Sequence, residues 1–210
     1  MMWLTNEDPM PERPPRDIVP SLFFEKWLPE LFHAEFVGSR RAAADIHVRI
    51  QLSGESGGVW DLTIAKGRLT VGEQAAGEPA VTVTQSVADW RAFAAGEEGA
   101  TDLAPPQASP LDLLFVDAAS RQVLATVRGT LRFEVTGYHG RTWGMLVKFG
   151  TDPAPPSPNA TITTDAETWS RLLARTMAPP EAYFSGKIKM TGDTGLAMQL
   201  AMGMMPRFTG

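Results

Sequence analysis

Covalent chemistry needs a nucleophile, an acid–base pair, a metal cage or a phosphate cradle, and few of the residues that build these are present here. There is no cysteine, so thiol nucleophiles, disulfides and thiolate zinc sites are excluded. Imidazole comes only from His33, His47 and His139, spaced 14 and 92 residues apart, so no helix or strand carries a local His pair to hold a metal. Gly54-Glu-Ser56-Gly-Gly58 satisfies the G-x-S-x-G pattern of a hydrolase nucleophile elbow. That elbow requires a strand-to-helix turn. Both flanks of Ser56 alternate with period two instead, which makes the segment a hairpin turn. Lys187 and Lys189 flank Ile188 in alternation; their ammonium groups face water or meet a fatty-acid carboxylate at the mouth of a site. Glu97, Glu98 and Asp102 read as a solvated charge run.

Composition narrows the function further. The 210 residues carry a formal net charge of −5, with 43% hydrophobic and 20% charged residues. An acidic chain offers no positive field to nucleic acid or to an anionic membrane as its main partner. No stretch approaches the ~20 uncharged apolar residues of a transmembrane helix. The first residues are proline-rich and charged, with no apolar signal core, so they read as an extended or mobile tail over residues 1–20 and the chain as cytoplasmic. Asn159-Ala-Thr161 fits a glycosylation sequon, which carries meaning only behind a secretory signal.

Hydrophobic period supplies the elements. Ser21 to Phe32 is densely apolar at helical spacing, with Ser21 as a cap and Pro29 as a break. Val48, Ile50 and Leu52 alternate with polar residues as in a half-buried strand; Trp60, Leu62 and Ile64 repeat the pattern after the turn, followed by Leu69 and Val71. Val81 to Thr84 is another strand, and Ser86 caps a helix that stops near Gly96. Leu131, Phe133 and Val135 alternate, then Trp143, Met145, Val147 and Phe149, around a turn whose tip holds Tyr138 and His139. The proline-rich stretch Thr151 to Pro158 is a stiff surface connection. Lys187 to Thr191 is a strand, and Asp193 caps a last helix over Thr194 to Met205.

The pattern occurs twice. A shift of 83 places Gly54 on Gly137, Gly57 on Gly140, Trp60 on Trp143 and Gly67 on Gly150. A shift of 79 then places Thr82-Val-Thr84 on Thr161-Ile-Thr163 and Trp90 on Trp169. An internal duplication follows, with the paired tryptophans as core anchors. The first copy spans 21–96, a Gly/Pro/Ala-rich linker 97–110, and the second copy 111–210. The second alone continues through Pro179-Pro-Glu-Ala-Tyr-Phe184 to the closing helix, which is nearly uncharged and rich in Met198, Met202, Met204 and Met205. A helix apolar on most faces is buried or touches something apolar. Methionine suits either core gap-filling or a deformable ligand wall.

The residues Ala182-Tyr-Phe-Ser-Gly-Lys-Ile-Lys-Met-Thr-Gly-Asp193, with Leu196, Ala197 and Leu200, resemble the carboxy-terminal signature of the sterol carrier protein 2 (SCP2) family. Phe133-Glu-Val-Thr-Gly, Trp143 and Ala160-Thr-Ile-Thr-Thr resemble its earlier part. Phe23 to Leu31 and Gln51 to Trp60 do so in the first copy, which lacks the Ser-Gly-Lys-Ile-Lys strand and closing helix. The resemblance implies an α+β fold, a mostly antiparallel sheet with helices on one face, and an apolar tunnel that binds fatty acyl chains, sterols or similar lipids. It also leaves open that the truncated first copy extends the sheet of the second.

The residues agree with that implication. An alkyl chain of ten to fifteen carbons returns roughly 8–12 kcal/mol gross on burial, at about 0.8 kcal/mol per CH₂, with no polar recognition needed. The expected wall comprises Trp143, Met145, Ile162, Trp169, Leu172, Tyr183, Phe184, Ile188, Met190, Leu196, Leu200 and Met204, all as apolar contacts. No catalytic residue, metal or cofactor is expected, and the chain is read as a non-enzymatic carrier, monomeric or homodimeric. The alternative is a structural or interaction module with a closed core.

Overall fold

The computed structural model describes residues 13–36, 45–72, 77–98, 103–104, 111, 124 and 126–199. Eight strands form one sheet in the order β3-β2-β1-β4-β6-β5-β7-β8: β1 (Ile46–Ser53), β2 (Gly58–Ala65), β3 (Arg68–Gly72), β4 (Val81–Ser86), β5 (Gly129–Tyr138), β6 (Arg141–Phe149), β7 (Ala160–Asp165) and β8 (Ile188–Gly192). The helices are α1 (Pro20–Leu22), continued by a π-helical turn (Phe23–Trp27) into α2 (Leu28–Phe36), then α3 (Val87–Ala94), α4 (Ala166–Leu173), α5 (Pro179–Phe184) and α6 over residues 194–199. Pairing is antiparallel except for β1 with β4 and β5 with β7. The class is therefore α+β with a mostly antiparallel sheet.

Period two sorts the strands into faces. Ile46, Val48, Ile50 and Leu52 share one face with Trp60, Leu62, Ile64, Val81, Val83, Leu131, Val135, Trp143 and Val147, and this face carries the core. Threonine, Arg49, Asp61, Arg132 and Glu134 occupy the other. The helices that feed the core, including Trp27, Trp90 and Trp169, lie on the apolar face. β4 joins the two halves through Val81↔Phe149 and Val83↔Val147, so one hydrophobic cluster runs from Ile18 to Ala197.

The two parallel pairs share a register. Val48↔Val81, Ile50↔Val83 and Ser53↔Ser86 correspond to Leu131↔Ala160, Phe133↔Ile162 and Thr136↔Asp165, displaced by 83 on the first strand and 79 on the second. The helix after each pair is capped alike: Ser86 Oγ accepts from the Asp89 N–H at 3.0 Å, and Asp165 Oδ1 from the Thr168 N–H at 2.7 Å. The hairpins differ, because a bulge between Val135 and Tyr138 shifts the β5–β6 register.

Several expectations need correction. Ser21 caps nothing: Pro20 takes the first helical position behind Val19, where its missing N–H costs least. Instead of a break at Pro29, the helix widens just before it, with the Leu28 N–H donating to Phe23 O. Proline cannot donate to the carbonyl four residues back, and the wider turn accommodates that loss. The tail reading fails at its end, since Pro14, Ile18 and Pro20 are buried and Ile18 joins the core. Tyr138 is 2% exposed because the bulge turns it to the core face; only His139 stands at the exposed tip, at φ 48°. Most of residues 111–124, at the start of the second copy, and all of Leu200 to Met205 in the expected closing helix lie outside the described residues.

Candidate functional site

The four strands of the second half set apolar side chains in rows across the sheet. One row runs Val147, Leu131, Ala160, Gly192; the next Met145, Phe133, Ile162, Met190; the third Trp143, Val135, Thr164, Ile188. The outer rows are closed at their three inner positions, while their β8 members, Gly192 and Ile188, are exposed and half-buried. Val147, Leu131 and Ala160 are buried, with Leu196 and Ala197 in the same cluster, and Trp143, Val135 and Thr164 are buried with Leu103 and Tyr138 near them. The middle row differs: Met145, Phe133 and Met190 are only half-buried, and Ile162 keeps 8% exposure.

Local chemistry fixes the surroundings. Gly192 at φ 79° ends β8 where an added Cβ would lie 2.2 Å from Asn159 O, so only glycine permits the approach. The Asp193 N–H then donates to Asn159 O at 2.8 Å, and Asp193 Oδ1 accepts from the Leu196 N–H at 3.0 Å, capping α6 as its sequence implies. Asn159 Oδ1 accepts from the Thr130 N–H and hydroxyl at 2.8 and 3.0 Å, locking the start of β5 to β7. Trp143 donates its indole N–H to Asp89 O at 2.7 Å and stacks on Phe93 at 5.8 Å. Trp169 donates to Leu103 O at 2.9 Å and meets Phe133 edge-on at 5.2 Å. Both tryptophans are thus oriented by a polar bond at the rim while their rings remain apolar.

Among the expected wall residues, Trp143, Met145, Ile162, Ile188 and Met190 share this floor. Trp169 reaches it from α4 through Phe133, and Leu196 packs at its edge near Gly129. Leu172 is half-buried on α4 and belongs to neither hydrophobic cluster. Tyr183 and Phe184 correct the expectation: Phe184 is 84% and Tyr183 36% exposed, because Ala182, fully buried, is the residue by which α5 is anchored. Leu200 and Met204 lie outside the described residues. Phe133 was not among the expected wall residues, although its alternation phase with Val135 places it at the centre of the middle row.

Charged groups stay off this floor. Arg141, at the β5–β6 turn, pairs with Asp89 of α3, and with Glu97 at 2.7 Å; its guanidinium stands 5.3 Å from the Tyr138 ring centroid. Glu97 is therefore an ion-pair partner rather than part of a solvated run. Burial opposes the Arg141 charge, but the hydrogen bonds to Glu97 and Asp89 outweigh it and raise its pKa. On the opposite face, Arg49 donates two hydrogen bonds to Asp61 at 2.8 and 2.9 Å, which raises the Arg49 pKa, and His47 Nε2 lies 3.1 Å from the same carboxylate. Asp61 is 1% exposed, a buried carboxylate that its alternating position on β2 gave no reason to expect. Asp165 is desolvated, yet hydrogen bonds from the Thr168 N–H and hydroxyl, with the charge of Lys187, hold its pKa below the ordinary value. Among the described residues no group of three His, Asp or Glu side chains could hold a metal, and no helix is long and apolar enough to cross a membrane.

One face of this sheet is thus apolar, with Met145, Phe133, Ile188 and Met190 half-buried on it. Residues 111–204, less than half of the chain, match the SCP-2 sterol transfer family. The chain is similar to human "Sterol carrier protein 2", 32% identical over 92 residues, covering 40% of this chain and 17% of that protein. It is also similar to "Hydroxysteroid dehydrogenase-like protein 2" of Danio rerio, 27% identical over 111 residues, 48% of this chain and 27% of that one. The chain thus spans less than a third of the length of these curated relatives. A solved structure, the sterol carrier protein domain 2 of Helicoverpa armigera, shares 27% identity over 39% of this chain and 69% of its own, at a TM-score of 0.30. The family match supports lipid binding in this region.

Proposed function

We propose that the chain binds an apolar ligand (a fatty acyl chain, a sterol or a similar lipid) without covalent chemistry, along the row Met145–Phe133–Ile162–Met190, and shuttles or sequesters it. The observation that supports this reading is the half-burial of Met145 and Phe133 at inner positions of the sheet where the rows on either side are buried. Methionine at both ends gives a floor that adapts to ligand shape. The reading includes no turnover, and among the described residues the strand positions of the row are Met145, Phe133, Ile162 and Met190. We further propose that the halves are related copies, a view supported by the common register of their parallel pairs; the row equivalent to the floor in the first half, Trp60–Ile50–Val83, is sealed by its own aromatic residues. Displacement titration with a fluorescent fatty acid tests the carrier reading. Saturable micromolar binding, weakened by Phe133→Ser, is expected. A folded chain that neither binds the probe nor shows added lipid mass on native mass spectrometry would leave only the closed-core interaction module.

A further inference from the structure

β8 is an edge strand: among the described residues it pairs with β7 and has no neighbour on its other side. The first half shows how this sheet continues such an edge. β6 lies beside β4 as β8 lies beside β7. Val81↔Phe149 and Val83↔Val147 recur as Ala160↔Gly192 and Ile162↔Met190, displaced by 79 on the first strand and 43 on the second. The bond at the foot of each ladder recurs too: the Gly150 N–H donates to Ala80 O at 2.9 Å, and the Asp193 N–H to Asn159 O at 2.8 Å. Beyond β6 comes β5, antiparallel, with Phe133 and Leu131 opposite Met145 and Val147.

The register fixes what the edge of β8 offers. Bonded pairs alternate along an antiparallel ladder. With Asn159 and Asp193 as one such pair, the backbone N–H and C=O of Ile188 and Met190 point away from β7. Their half-buried side chains lie on the apolar face, and Lys189 between them lies on the polar face. Lys189 is exposed and has no carboxylate partner among the described residues. Thr163 stands beside it, Glu134 one strand further in pairs with Arg132, Lys187 lies by Asp165, and Asp193 caps α6.

We propose that β8 is a docking edge for an extended segment of a partner protein, added antiparallel, with apolar residues opposite Ile188 and Met190 and a carboxylate opposite Lys189. Backbone bonds hold such a strand in place, and the alternation of its side chains selects it. Its apolar residues prolong the apolar face as Phe133 and Leu131 do beyond β6, while its carboxylate meets the lysine across the strand. The β8 of a second copy is a poorer occupant. In each register that sets Ile188 or Met190 against either residue in that copy, Lys189 stands opposite or diagonal to a lysine. The docking does not rest on the carrier reading.

The test is fluorescence anisotropy of a short labelled peptide alternating valine with glutamate, titrated with the full chain. Saturable binding is expected, and the counterpart with lysine in place of glutamate should bind about tenfold more weakly. Lys189→Glu should reverse that preference, with the circular dichroism spectrum unchanged because the side chain is exposed. N-methylation of the valines, whose N–H groups face β8 in this register, should abolish binding, while N-methylation of the glutamates should leave it. No binding of the valine–glutamate peptide, a preference that survives Lys189→Glu, or equal loss with either N-methylation overturns the proposal. So does a dimer on gel filtration that Met190→Pro dissolves, since that change removes an outward N–H and would assign the edge to a second copy. A fatty-acid titration that fails while the peptide binds removes the carrier and leaves the docking.

Discussion

The two halves of the sheet present the same row of positions and fill it differently. In the first, Trp60, Ile50 and Val83 are all under 7% exposed, beneath Phe24, which stacks on Trp60 at 4.9 Å, and Trp90, tilted against Phe24 at 5.6 Å. Phe23 completes the packing, edge-on to Trp90 and stacked on Trp27, both at 5.2 Å. In the second, Phe133 and Met145 stand where Ile50 and Trp60 would direct the eye, yet remain half-buried. The same strand pairing supports a fully buried row on one side and a half-buried one on the other. The first row's burial comes from the aromatic side chains packed over it, Phe24 and Trp90, on a strand pairing that the second half shares.

That contrast can be broken most forcefully at the aromatic seal. Trp90→Ala should cost about 4 kcal/mol by urea denaturation, as for other large buried rings, whereas Met190→Ala on the half-buried row should cost about 1 kcal/mol and register instead as weaker fatty-acid binding. Equal losses of stability would mean that the second half is as tightly packed as the first. The polar face gives a second comparison. Arg49 pairs with a buried Asp61, while Arg132, 83 residues on, pairs with Glu134 at 2.7 Å in an exposed position. Arg49→Leu removes the two-hydrogen-bond partner of a buried carboxylate, leaving it His47, and should cost about 3 kcal/mol; Arg132→Leu should cost less than about 1 kcal/mol.

The smallest effect distinguishes the two caps. Ser86→Ala and Asp165→Ala should each cost about 1 kcal/mol at neutral pH. Only the second should depend on acidity. The folded-state pKa of Asp165 is lowered, so its contribution is complete above the unfolded carboxylate value and is lost as pH falls through the folded value. Thermal melts of wild type and Asp165→Ala should therefore converge in acid, while the offset of Ser86→Ala stays constant.

Much of this was legible in the residues. Alternation located the strands to within a residue or two, as with Trp143 to Phe149 inside β6, because a half-buried strand states its two faces locally. Ser86 and Asp193 announced their helices, since a cap is a contact between a side chain and a backbone N–H three residues away. Other features were not legible. Tyr138 looked like a loop tip because a bulge, invisible in composition, moves it to the core side. Glu97 looked solvated because its partner Arg141 is 44 residues distant. Phe184 looked like part of a ligand wall because an aromatic residue in an apolar signature carries no mark of which way its helix turns.

The residues by themselves settled that this chain forms strands with one oily and one polar face, carries no cysteine and only three widely spaced histidines, and resembles a lipid-carrier family in its second half. Period and capping act over a few residues, so sequence can express them directly. Only the tertiary structure joined β4 to β6 into one sheet, sealed one row with aromatics, left the other half-open, and turned Tyr183 and Phe184 outward. Those outcomes depend on contacts between segments tens of residues apart, whose geometry is decided by packing against neighbours that no local pattern names.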